Sequence, residues 1–76
     1  MDAAHALLAV RIRTLAKERG IPLSHCADRA MVGRAHLFAV LGGRASPSLT
    51  WIVAIAEVLS VEPWELLAGP DVARKA

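Results

Sequence analysis

An all-α fold, a compact bundle of five helices, is what this sequence predicts, and three observations carry the prediction. Alanine and branched aliphatics dominate a chain with no Tyr and one Phe, and strand-like alternation is scarce. Stop signals stand where helical patterns end, at Gly20, Gly42-Gly43 and Gly69-Pro70. Between the first two stops, Cys26 to Val40 reads as two short amphipathic segments hinged at Met31.

The elements follow in order. The first helix runs from Ala3 to Arg19, with Leu8, Ile12, Leu15 and Ala16 on one face and Arg11, Arg13 and Lys17 on the others. Gly20 closes it. Ile21 packs inward, and Pro22 begins the second helix, where the missing donor of proline costs nothing. That helix covers Leu23 to Ala30 and the third covers Arg34 to Leu41, with the small Ala27 and Ala30 where the two approach most closely. Gly33 serves as N-cap of the third helix, and Gly42-Gly43 ends it because glycine enters the left-handed conformation without a Cβ penalty. Within this region Val32, Leu37 and Val40 are apolar at helical spacing, while Arg34, Ala35, Phe38 and Ala39 form one outward face. Ser46 or Ser48 caps a fourth helix carrying Leu49, Ile52, Val53, Ile55, Ala56 and Leu59. It is apolar on more than one face, so it is either the central helix or a face for a partner. Pro63 fits the first position of a short fifth helix, Trp64 to Leu67, ended by Gly69-Pro70. The domain therefore spans 1–70, and 71–76 reads as a frayed tail.

Composition excludes several classes. Seventy-six residues hold one small core, with no room for a separate sensor or catalytic domain. The longest apolar run, Trp51 to Val61, contains Glu57 and is too short to span a bilayer, and the start lacks the pattern of a signal peptide. The expected setting is the cytoplasm, with no membrane partner. The single Cys26 lies on an apolar helical face and reads as a small hydrophobe. His5, His25 and His36 have no partners at metal-ligand spacing, so no metal and no cofactor are expected. Ser24, His25 and Asp28 crowd one short helix with no oxyanion loop, which argues against a catalytic triad and against an enzyme.

Charge is unevenly spread along a chain of net +2. Residues 1–46 hold Arg11, Arg13, Lys17, Arg19, Arg29, Arg34 and Arg44 against Asp2, Glu18 and Asp28; the remainder holds Arg74 and Lys75 against Glu57, Glu62, Glu65 and Asp71. The first part is suited to meeting phosphate. The hinge at Met31 has the spacing of a helix-turn-helix, a motif that holds its second helix where it can enter the major groove of DNA. Trp51, Val58 and Trp64 fall at positions a monomer exposes, and tryptophan is enriched in binding hot spots, so these residues with Leu67 are assigned to a dimer or partner interface.

Taken in register from about Leu8 to Leu67, the chain resembles the Cro and lambda-repressor type, or Xre-like, helix-turn-helix family. The resemblance rests on Ile12 to Leu15 with Gly20-Ile21, on Ala27-x-x-Ala30-x-Val32, on Gly43-Arg44 with Pro47-Ser48-Leu49, and on Ala56 to Leu59 with Val61 and Leu66-Leu67. It implies a lambda-repressor-like DNA-binding domain whose third helix recognises duplex DNA through Arg34, Ala35, Phe38 and Ala39. It further implies that Arg44 and the start of the fourth helix face phosphate and that the fifth helix contributes to a homodimer. The chain departs from the family's pattern at Pro22 and Leu23, where a polar cap and a phosphate-anchoring glutamine are usual, at Met31 in place of the turn glycine, and at Leu41.

The expected function is thus a small DNA-binding transcriptional regulator. Arg34 contacts a base or phosphate, Phe38, Ala35 and Ala39 fit thymine methyls, His36 reaches toward phosphate, and Arg44 with Arg11 or Arg13 holds the backbone. One bidentate arginine discriminates by about 1–3 kcal/mol, whereas specific sites exceed non-specific binding by about 4–10 kcal/mol. A rival reading follows from that gap: a degenerate helix-turn-helix acting as a protein interaction module, an antirepressor or regulatory subunit, that docks a protein partner through Leu23, Phe38, Leu41 or Trp51.

Overall fold

The Asp2 carboxylate accepts the His5 amide at 2.8 Å, and the first helix starts there. In the computed structural model, which describes residues 2–68, α1 spans Ala3–Glu18, α2 Leu23–Ala30, α3 Arg34–Leu41 and α4 Leu49–Val58, followed by a 3-10 turn at Pro63–Leu66. The described residues contain no strand. The Gly69-Pro70 stop and the tail 71–76 lie outside them.

The same backbone device ends all four α-helices. A left-handed residue donates its amide three residues back, and its successor donates five residues back, which uses two otherwise orphaned carbonyls. Gly20 (φ 65°) bonds Lys17 while Ile21 bonds Ala16; Gly43 (φ 79°) bonds Val40 while Arg44 bonds Ala39. Met31 (φ 58°) and Ser60 (φ 59°) do the same toward Asp28 and Glu57, with Val32 and Val61 reaching Ala27 and Ala56. After three of these stops the next residue, Ile21, Val32 or Val61, packs on the core. After α3 it is the exposed Arg44. Gly42, expected to share the left-handed role, has φ −87° and lies in the helical region, so only Gly43 makes the stop.

Around one core, Leu8, Ile12, Leu37, Val40, Ile55, Leu59 and Leu66 are at most 1% exposed. α4 packs against both α2 and the terminal turn, and α1 touches α2, α3 and that turn. The fourth helix thus has two packing neighbours, which accounts for its apolar character on more than one face. Ala27 is fully buried, as a close helix approach requires. Cys26 is buried too, and desolvation pushes its thiol pKa up, which leaves it an apolar filler.

One element differs from expectation. The fifth helix is a four-residue 3-10 turn, giving four α-helices among the described residues. Its backbone bonds run three residues back, from Glu65 to Glu62 and from Leu67 to Trp64. The Glu65 carbonyl, which a longer helix would use, accepts instead from Arg11 Nε at 3.2 Å. The first helix ends at Glu18, one residue before the expected Arg19. No helix among the described residues is long and apolar enough to cross a membrane.

Met31 carries a Cβ in a conformation that costs an ordinary residue about 1–2 kcal/mol, and its side chain is 93% exposed, so it contributes little packing in return. Met31→Gly should stabilise the fold by about 1 kcal/mol in chemical denaturation. An unchanged or lowered midpoint would contradict the left-handed turn.

Candidate nucleic-acid interface

Helix α3 divides cleanly. Leu37, Val40 and Leu41 are buried, so the residues between them must face outward. Arg34, Ala35, His36 and Phe38 are exposed, and Ala39 is half-buried at the edge of that face. Phe38 keeps 43% of its surface in solvent, unusual for an aromatic with no polar atom. Leu41, a departure from the resembled family, is explained by burial.

Both ends of α3 are held by groups from elsewhere. At its start, Arg34 donates to both oxygens of Asp28 on α2, from Nε at 2.9 Å and from Nη2 at 2.5 Å, spanning the turn. This hydrogen bond, more than the Coulomb attraction of Arg34 or His25, holds the Asp28 carboxyl below its usual range, and the same contact raises the Arg34 pKa. The side chains are 59% and 50% exposed, so solvent screening keeps the pair's effect on stability small. At the other end, His5 Nε2 donates to the Val40 carbonyl at 2.7 Å. Arg44 turns back toward the Phe38 carbonyl, Nη2 at 3.5 Å, a favourable place for a cation beside a helix C-terminus. Its Nη1 lies 2.6 Å from where a Cβ on Gly42 would stand, a contact the flexible Arg44 side chain can relieve by moving.

The assigned cations do not form one patch. Arg11 and Arg13 are two residues apart on α1, so they project about 200° apart around its axis. Arg11 is half-buried with its Nε bonded to the terminal turn; Arg13 is exposed. Arg34, Arg44 and Arg11 thus each bond within the chain.

The assigned interface residues also separate. Trp51, expected to be exposed, is only 6% so, because it lies with Ile52 on the inner side of the first turn of α4, while Leu49 on the outer side is 73% exposed. Its ring meets the His36 ring edge-on, with centroids 5.9 Å apart and planes at 80°, and its Nε1 is buried without a hydrogen-bond partner among the described residues. His36 accordingly packs beside Trp51 while remaining exposed. Val58 is half-buried against the core, a second correction. Trp64 and Leu67 are the exposed pair, at 51% and 45%.

Two residues with a clear role were weighed from sequence only for other ones, Asp28 in a triad and His5 as a metal ligand. Asp28 had a signal: an acid in the last turn of one helix and a base opening the next, six residues on. His5 had none, since 35 residues separate it from Val40.

No protein-family model and no curated protein matches the sequence. A solved structure does: the crystal structure of a hypothetical transcription factor from Neisseria superposes with a TM-score of 0.85 at 26% identity, covering 95% of this chain and 83% of that one. The fold is thus that of a protein described as a transcription factor.

Because the Asp28 carboxyl titrates below its unfolded value, the pair's contribution is present at neutral pH and is lost as pH falls through the lower, folded value. Carboxyl titration by NMR should show Asp28 protonating below the ordinary Asp range, and Arg34→Gln should return it there. An ordinary Asp28 titration in the parent protein would show that the pair does not persist in solution.

Proposed function

We propose that this chain is a cytoplasmic, DNA-binding transcriptional regulator of the Cro and lambda-repressor type that reads duplex DNA through α3 as a homodimer. The observation that carries the reading is the geometry of α3: a buried inner face, both ends tied down, and an outward face of Arg34, Ala35 and Phe38 left in solvent. Likeness to a hypothetical transcription factor supports it. Phe38 and Ala35 suit thymine methyls, and Arg34 at the first turn of α3 is where recognition helices meet base edges. Trp64 and Leu67 on the terminal turn are the apolar pair we assign to the dimer contact. Trp51 and Val58 are not part of it.

One observation favours a second reading, a protein interaction module with little DNA binding. Three of the four assigned DNA-facing arginines already bond within the chain. Binding phosphate through them relies on the donors these bonds leave over, or on exchange of partners.

Titration against duplex DNA at rising salt decides between the two. A reader binds with a negative salt slope, and Arg34→Glu abolishes retention while circular dichroism stays helical. Absence of salt-dependent binding to any duplex would reject the DNA reading. Separately, Trp64→Ala with Leu67→Asp should shift the protein from dimer to monomer in sedimentation and weaken binding to paired half-sites about 34–36 Å apart. A parent protein that sediments as a monomer on and off DNA would reject the dimer.

A further inference from the structure

We propose that Asp28 is a positioning residue that makes Arg34 a guanine reader instead of a phosphate clamp, an inference that rests on the DNA reading above. The carboxylate takes the side edge of the guanidinium, Nε and Nη2, through two hydrogen bonds. A planar guanidinium has a second edge, formed by Nη1 and the remaining hydrogen of Nη2. That edge stays free and lies in a plane which the bidentate contact fixes. Guanine presents O6 and N7 side by side in the major groove, two acceptors matched to two parallel N–H donors. The rest of the outward face cannot substitute: Ala35, Phe38 and Ala39 carry no side-chain donor, and the exposed His36, packed edge-on beside Trp51, carries no planar pair of parallel N–H donors.

Charge points the same way. Asp28 offsets the Arg34 charge at close range, and its own carboxylate is repelled by phosphate. A clamp for the backbone would be weakened by such a neighbour, whereas hydrogen bonding to a neutral base keeps its geometry. The acid sits in the last turn of α2, behind the turn, and the arginine sits in the first turn of α3, the part of a recognition helix that meets base edges.

The test uses a duplex library with a randomised core, followed by titrations on the enriched duplex and on single-base variants of it. The parent protein should enrich a guanine at one position of each half-site. Asp28→Asn should reduce preference for that guanine by roughly 5- to 150-fold, while affinity for non-specific duplex holds or rises and the salt slope does not fall. Arg34→Lys keeps the charge and loses the planar fork, so it should lose the same preference without losing non-specific binding. An Asp28→Asn protein that keeps its guanine preference overturns the proposal. So does an Arg34→Ala protein that weakens all duplexes equally and lowers the salt slope by about one, the signature of a phosphate contact. A parent protein retained by no duplex rejects the DNA reading itself, and that arm separates the two failures.

Discussion

Helices α2 and α3 are eight residues each, shorter than the length at which an isolated helix persists in water. Their existence depends on burying Cys26 and Ala27 from α2, which packs on α1 and α4, and Leu37, Val40 and Leu41 from α3, which packs on α1 and α2. Every functional property of the outward face follows from that burial. Residues four apart share a helix face, so Arg34 and Phe38 face solvent together while Leu37 and Leu41 face the core together, and the placement of one pair is the complement of the other. The left-handed Met31 then fixes how the two short helices meet, and the three further stops of the same design fix where each longer segment turns back.

Much of this order was legible in the sequence because it is written locally. Gly20, Pro22, Ala27 and Gly43 each act within four or five residues of their own position, and the boundaries of α2 and α3 coincide with those read from pattern alone. Trp51 was misplaced because α4 is apolar nearly all round, and periodicity names a buried face only when there is a polar one to contrast with it. The last element has nearly the expected length but is a 3-10 turn and not an α-helix, for a different reason. A Pro and a good apolar pattern start a helix, but the Glu65 carbonyl goes to Arg11, 54 residues away in sequence.

The candidate site was half legible, and the division is again physical. Side-chain identity sufficed to place Arg34, Ala35 and Phe38 on one face. It did not reveal what each cation does when no ligand is present, because a guanidinium with five donors bonds the nearest available oxygen, whether carboxylate or carbonyl. Asp28 for Arg34, the Phe38 carbonyl for Arg44 and the Glu65 carbonyl for Arg11 are those oxygens. Net charge in the first part of the chain therefore overstated the free positive surface. The arginines differ in how readily they change partner, since Arg34 makes two short bonds to a charged group and Arg44 one long bond to a neutral one.

The stop after α3 lacks the apolar successor that the other three tuck into the core. Opening a segment costs in proportion to the contacts it surrenders, and here Arg44 surrenders its amide bond to Ala39 and a 3.5 Å side-chain bond, leaving Ala45 as the apolar residue of the link that packs on the core. The chain between α3 and α4 is accordingly the place where amide hydrogen exchange should be fastest relative to the helices on either side. What holds the link in place is mainly its own backbone, through the Arg44 and Ala45 amides that share the Ala39 carbonyl.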